Sequence, residues 1–201
     1  MTESVALSEP KTYTASPKHV SIEAYFRAEE KSLTKNEYHD GIIIPMVGAK
    51  LRHNLLSQKV GALMTFFIDE KDLNYKVSNS DTKIRIETFN KFVYPDALVI
   101  CETPQYYKGR EDTITNPLLV VEVLSTSTAK FDRTTKFEWY RTLPSFKEYV
   151  LIYQDRLHVV VWTKQSDGAW LPQDYIGEDA LAVLHSLHDC LLPLKRLYKG
   201  V

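Results

Sequence analysis

The side chains best suited to chemistry in this chain stand in one stretch, Tyr94 to Arg141. It reads Val93-Tyr94-Pro95-Asp96-Ala97-Leu98-Val99-Ile100, a polar segment, then Leu118-Leu119-Val120-Val121-Glu122-Val123-Leu124, and finally a helical segment carrying Lys136. Both apolar runs have the length and β-branched content of buried strands, and each holds one carboxylate. An unpaired charge is costly to bury, so a carboxylate in such a run needs a partner. Two of them on neighbouring strands, with a lysine close behind, point to a shared cation. Magnesium takes oxygen ligands, usually one or two carboxylates with waters and a phosphate. Asp96 and Glu122 would supply the carboxylates and Val123 a backbone carbonyl. The chemistry would be phosphodiester hydrolysis, which needs charge neutralised on a non-bridging oxygen and a water activated beside it. Lys136 would orient that water or offset the developing charge. Arg133, three residues earlier, is placed to share a helix face with Lys136 and to touch the phosphate.

Each residue also has a plainer reading. Asp96 after a proline can satisfy backbone donors at a strand start. Glu122 can form a structural ion pair with Lys136 or Arg133. Lys136 alone can be a solvated helix lysine. His53 can cap or pack, although a helix-start residue can also face a metal at a sheet end. Glu37, on an early strand, is a weaker ligand. Asp81 and Lys83 lie on a hairpin that borders the site or simply carries solvated charges.

The elements that position these residues follow from periodicity. Ser21 is a natural N-cap for a helix to about residue 31, with Val20, Ala24, Tyr25 and Ala28 apolar. Residues 37–45 read as a hairpin around Asp40-Gly41. Residues 52–68 form an amphipathic helix with Leu55, Leu56, Val60, Leu63, Met64, Phe67 and Ile68 at helical spacing. Short strands are expected at 75–79, 83–88 and 92–101. A polar, mobile loop with Gly109 at its tip is expected from 102 to 116. After strand 118–124, Ser125 to Thr128 offers capping residues for a helix to about 143, which Pro144 stops. Strands at 148–153, 156–164 and 168–171 follow, and the last twenty residues end in a short helical turn. The order predicts an α/β fold, a mixed β-sheet flanked by helices (αβββαβ) with an added N-terminal hairpin and C-terminal antiparallel strands. One domain is expected over 18–201, after a loose Ser/Thr/Pro-rich tail over 1–17.

Composition narrows the partners. The chain has 201 residues, 44% of them hydrophobic, which suffices for one well-buried domain. A formal net charge of −1 gives no global basic field and argues against a non-specific nucleic-acid coat protein. It leaves room for an enzyme whose charge is local and completed by a metal. Cys101 and Cys190 form no zinc spacing, and reduced thiols fit a cytoplasmic location. No run approaches the ~20 apolar residues of a membrane span.

These residues carry a resemblance. Tyr94-Pro95-Asp96 with Glu122 resembles the PD-(D/E)xK superfamily of restriction-endonuclease-like folds. More narrowly, the chain resembles the Uma-two family of endonuclease-like proteins over roughly residues 20 to 200. The matching pieces are Glu37-Tyr38, Asp40-Gly41, His53, Val121-Glu122-Val123-Leu124-Ser125, Thr128, Asp132-Arg133, Lys136 and Tyr140. The resemblance implies a metal-dependent phosphodiesterase site. Asp96, Glu122 and Lys136 would be catalytic, Mg²⁺ or Mn²⁺ would be held at Asp96, Glu122 and Val123, and His53, Glu37, Arg133 and Tyr140 would lie nearby. In the superfamily a lysine stands two residues after the second carboxylate. Here Leu124 stands there, and the role moves to Lys136.

Three functional classes follow: a DNA endonuclease, a catalytically weak relative that binds nucleic acid, and a protein-interaction domain whose carboxylates pair structurally with Lys136 and Arg133. For the first, a homodimer is expected, since two sites related by a two-fold axis suit a duplex. The C-terminal hairpin, expected to be exposed, would offer an edge for it.

Overall fold

Two six-stranded sheets share a core, and the chain passes between them at Tyr94-Pro95-Asp96. The computed structural model describes residues 19–201, so the tail expected over 1–17 lies outside the described residues. Helix α1 (Ile22–Glu29) is capped as expected, with Ser21 Oγ accepting the Ala24 N–H at 3.2 Å. Its buried residues are Tyr25 and Phe26, and Ala28 is exposed. Aromatic area decides which face turns inward. The two rings join Tyr38 and Phe92 at centroid separations of 4.9 to 5.9 Å.

Strands β1 (Asn36–His39) and β2 (Ile42–Pro45) form the expected hairpin. Asp40 and Gly41 both have positive φ, 48° and 92°, which a two-residue type I′ turn requires. Helix α2 (Leu51–Glu70) overruns its expected bounds and buries Leu56, Val60, Met64 and Ile68. The next strands are β3 (Tyr75–Asn79), β4 (Lys83–Ile86), β5 (Lys91–Val93), β6 (Ala97–Cys101), β7 (Tyr106–Tyr107), β8 (Arg110–Ile114) and β9 (Leu119–Leu124). A helical run over 129–140 comprises Ala129–Phe131, a π turn Asp132–Lys136, and Phe137–Tyr140. Then come β10 (Glu148–Tyr153), β11 (His158–Lys164), β12 (Trp170–Ile176), β13 (Leu181–Leu184), β14 (Cys190–Pro193) and a last helical turn, Leu194–Leu197.

One sheet has the order β2-β1-β5-β4-β8-β7 and the other β12-β11-β10-β9-β6-β3. Each contains one parallel pair, β4 with β8 and β9 with β10. The αβββαβ core read from the sequence is α2, β3, β6, β9, the 129–140 helix and β10. Alternation along β9 serves both faces. Leu119, Val121 and Val123 pack toward α2, while Val120 and Leu124 pack toward the other sheet and the 129–140 helix.

Four expectations are corrected. Residues 92–101 are two strands in different sheets, because Pro95 has no N–H to donate and interrupts the ladder. The 102–116 segment contains the β7–β8 hairpin, closed by Lys108 and Gly109 at φ 47° and 76°. Residues 75–79 and 83–86 do not pair as a hairpin, since β3 pairs with β6 and β4 with β5. The C-terminal hairpin has a buried face, Ala182, Leu184, Cys190 and Leu192, set against the core beside α2.

Glu148, fully buried at the start of β10, holds that hairpin in place. Its Oε1 accepts the His185 N–H at 2.7 Å, and its Oε2 accepts the Ser186 N–H at 3.1 Å and hydroxyl at 2.7 Å. Glu148→Ala removes the acceptor of the part-buried His185 and Ser186 N–H groups and of the Ser186 hydroxyl, at about 1 kcal/mol each. The expected outcome is a thermal midpoint lower by several degrees, measured by circular dichroism. An unchanged midpoint would show that the carboxylate does not anchor the hairpin.

Candidate active site

Asp96 lands opposite Glu122 because of strand register. β6 and β9 pair antiparallel with Ala97 facing Val121 and Leu98 facing Val120, so the next residues outward are Asp96 and Glu122. Residues directly opposite project to the same face of a sheet. Two contacts secure the junction: the Asp96 N–H donates to the Val121 carbonyl at 3.2 Å, and Ser57 Oγ on α2 donates to the Asp96 carbonyl at 2.8 Å. Asp96 Oδ2 accepts the Val123 N–H at 2.7 Å and lies 3.2 Å from His53 Nε2, at the start of α2.

Glu122 is 3% exposed in the middle of its strand. Its Oε1 accepts from Lys136 Nζ at 3.1 Å and from the Tyr140 hydroxyl at 3.0 Å. Lys136 also faces Asp132 Oδ1 at 3.7 Å and Glu37 Oε1 at 3.9 Å. Glu37 accepts the Tyr94 N–H at 3.1 Å, and its other oxygen lies 2.8 Å from His39 Nε2.

The structure thus gathers Asp96, Glu122, Val123, Lys136, His53, Glu37 and Tyr140 into one place. It leaves Arg133 outside. That side chain is exposed, with Nε donating to the Ala129 carbonyl at 3.1 Å and Nη1 at 3.5 Å from the Tyr153 hydroxyl. The residue that shares the buried face with Lys136 is Asp132. Asp132, Lys136 and Tyr140 recur every four residues, a helical stripe that could have identified Asp132 from the sequence. His39 gave no such signal. Asp81 is paired with Lys35 and Lys83 with Asp112, so both charges are used elsewhere.

Charge at this site is unbalanced. The field of four carboxylates, Glu37, Asp96, Glu122 and Asp132, acts on one ammonium group. Burial alone would depress Lys136, but Glu122, Glu37, Asp132 and Asp96 outweigh it and keep the lysine protonated. Burial drives Glu122 well above the usual carboxylate range; Lys136 opposes this, and Asp96 and Asp132 reinforce it. Asp132 is raised for the same reason, burial, against Lys136. Glu37 is lowered, since Lys136 and the His39 and Tyr94 hydrogen bonds overcome its burial. His53 is raised because its contact with Asp96 outweighs burial.

The donor set fits a hard divalent ion. Asp96 Oδ1 and Glu122 Oε2 take no hydrogen bond from the described residues, which leaves one oxygen on each strand uncommitted. By strand alternation the Val123 carbonyl points the same way as that of Val121, past the end of β6. Among the described residues no three His, Cys, Asp or Glu side chains gather around one point. Magnesium needs fewer, one or two carboxylates with waters and phosphate.

Comparison with known proteins gives the family and the fold. Residues 22–194 match the family model Uma2, described as "Putative restriction endonuclease". Two uncharacterized proteins of Synechocystis sp. are similar along most of their length. One, sll1609, is 37% identical over 166 residues, covering 83% of this chain and 93% of that protein. The other, slr1290, is 35% identical over 164 residues, covering 81% and 83%. Among solved structures, a putative nuclease belonging to DUF820 from Anabaena variabilis superposes with a TM-score of 0.68 at 17% identity, covering 87% of this chain and 95% of that one, a likeness of fold.

The raised groups set a pH dependence. A group whose value is raised on folding stabilises the fold in its protonated form. That contribution is complete below the ordinary value, 4.5 for Glu122, and is lost as pH rises through the raised one. Glu122→Gln removes one such loss. In metal-free buffer its thermal midpoint should therefore gain on wild type as pH rises from about 5 to about 8. Parallel curves for the two proteins would overturn the electrostatic account of Glu122.

Proposed function

We propose that this chain, which belongs to the Uma2 family, is a Mg²⁺- or Mn²⁺-dependent endonuclease that hydrolyses phosphodiester bonds in DNA at the Asp96–Glu122–Lys136 cluster. The observation that carries this reading is the pair of carboxylates set opposite each other across β6 and β9, each with a free oxygen, beside a single ammonium group. The family and the shared nuclease fold support it.

The residues divide the work. Asp96, Glu122 and the Val123 carbonyl would hold the ion. When bound, it supplies charge neutralisation on a phosphate oxygen and acidifies a bound water. His53 and the Val123 N–H fix the orientation of Asp96 through Oδ2 and leave Oδ1 free to ligate. Tyr140 and Lys136 do the same for Glu122 through Oε1. Lys136, kept protonated by its acidic surroundings, donates to the attacking water or to a phosphate oxygen and stabilises the charge that develops there. Glu37 and Asp132 hold the ammonium from two further directions.

A specific observation favours a second reading: Lys136 is 8% exposed and already faces three carboxylates at hydrogen-bonding or ion-pair distance, as a purely structural ion cluster would. Calorimetry with Mn²⁺ separates the two, with heat expected for wild type and none for Asp96→Asn. Plasmid, branched and single-stranded DNA incubated with Mn²⁺ should be nicked, with losses of about 100-fold or more in Glu122→Gln and Lys136→Ala. Metal binding without cleavage would indicate a nucleic-acid-binding relative. Absence of both would leave the structural ion cluster.

A further inference from the structure

A groove of about 510 Å³ opens beside Asp96, between α2 and β3, within the roughly 300–1,000 Å³ of small-molecule clefts. α2 contributes Asn54, Gln58, Gly61 and Ala62, and β3 contributes Val77 and Asn79. Asp96 is the one ionisable side chain in the lining, and Gly61 and Ala62 leave the helix wall low.

We propose that this groove receives the base of the nucleotide next to the scissile phosphate and gives the enzyme a base preference. The proposal rests on the nuclease reading above and adds a substrate subsite to it. Four features carry it. The lining has no cation, so it is built poorly for phosphate, which Lys and Arg recognise. The Gln58 side chain takes no hydrogen bond from the described residues and suits the edge of a base, because an amide can donate and accept at once. Its apolar lining residues, Gly61, Ala62, Val77 and Ala97, suit the flat face of a base. Asp96 lies at the groove and at the carboxylate pair alike, so a base seated here places its own phosphate beside the proposed ion. A base reaches such a groove only from single-stranded or locally unpaired nucleic acid.

Gln58 and Ala62 are exposed on α2 and take no part in the acidic cluster, so they can be changed without disturbing it. Affinities of fluorescent homopolymeric DNA and RNA oligonucleotides would be measured by anisotropy with Ca²⁺ in the buffer, for wild type, Gln58→Ala and Ala62→Trp. Wild type should favour one base by about fivefold or more, and both variants should narrow that to about twofold, with melting temperatures unchanged. Equal affinity of wild type for all bases, or a ranking that survives both substitutions, overturns the groove assignment while the nuclease reading stands. A wild-type protein that neither binds nor cuts any oligonucleotide overturns both.

Discussion

One ammonium group buried among four carboxylates governs this site. At an effective dielectric constant of about 20, charges about 4 Å apart interact by roughly 4 kcal/mol. Lys136 meets Glu122, Asp132 and Glu37 at or below that separation, and Asp96 lies within its field. One positive charge cannot offset four negative ones. The remainder is carried by the His53 imidazole against Asp96, by proton uptake at Glu122 and Asp132, or by an added cation. A protein built only for stability has little reason to keep such a deficit, because apolar residues of similar size would fill the volume at lower cost.

The two-sheet design is what brings these acids together. Glu37 comes from β1 in one sheet and Glu122 from β9 in the other. Asp96 comes from the step between sheets, and Asp132 from the 129–140 helix packed against their shared core. Pro95 makes the step possible. It ends the β5 ladder, so that Tyr94 turns its N–H to Glu37 while the next residues start β6 in register with β9. The short Tyr-Pro-Asp sequence thus acts on both sheets at once.

Much of this was legible in the sequence, for identifiable reasons. The β9 run is a continuous apolar stretch bounded by turn residues, and α2 buries Leu56, Val60, Met64 and Ile68 at helical spacing, so both elements could be read. Glu122 stood out because an acid in the middle of an apolar strand demands a partner. Sheet membership was not legible. Residues 92–101 look like one strand because local composition cannot show that Val93 and Ala97 pair with different neighbours. The β7–β8 hairpin was hidden by its polar composition, although Lys108-Gly109 supplies the turn. Its Arg110 and Asp112 pair with each other, and Asp112 also takes Lys83, so charged residues there serve as sheet residues. Arg133 was grouped with Lys136 on a spacing of three, where the structure uses the spacing of four, to Asp132.

In the proposed site the lysine stands on a helix and not on the strand, which changes what determines its position. Leu124 occupies the strand place and packs, 3% exposed, in the core between the sheets, where an ammonium stem would displace apolar contact. From the helix, Lys136 still reaches Glu122, and the same stripe delivers Asp132 and Tyr140, which a lysine on β9 would not bring. The cost is that its placement depends on how the helix docks. Its π turn shifts backbone hydrogen bonding away from the α pattern, and the Tyr149 hydroxyl satisfies the Asp132 carbonyl at 2.9 Å. The Tyr149 ring stacks on Phe137 at 5.2 Å and 8°. Asp96 and Glu122 are therefore fixed by strand register, and the ammonium, together with Asp132, by the aromatic packing that docks the helix. These are separable supports, so loss of the Tyr149 ring would displace Lys136 while Asp96 and Glu122 stayed opposite each other.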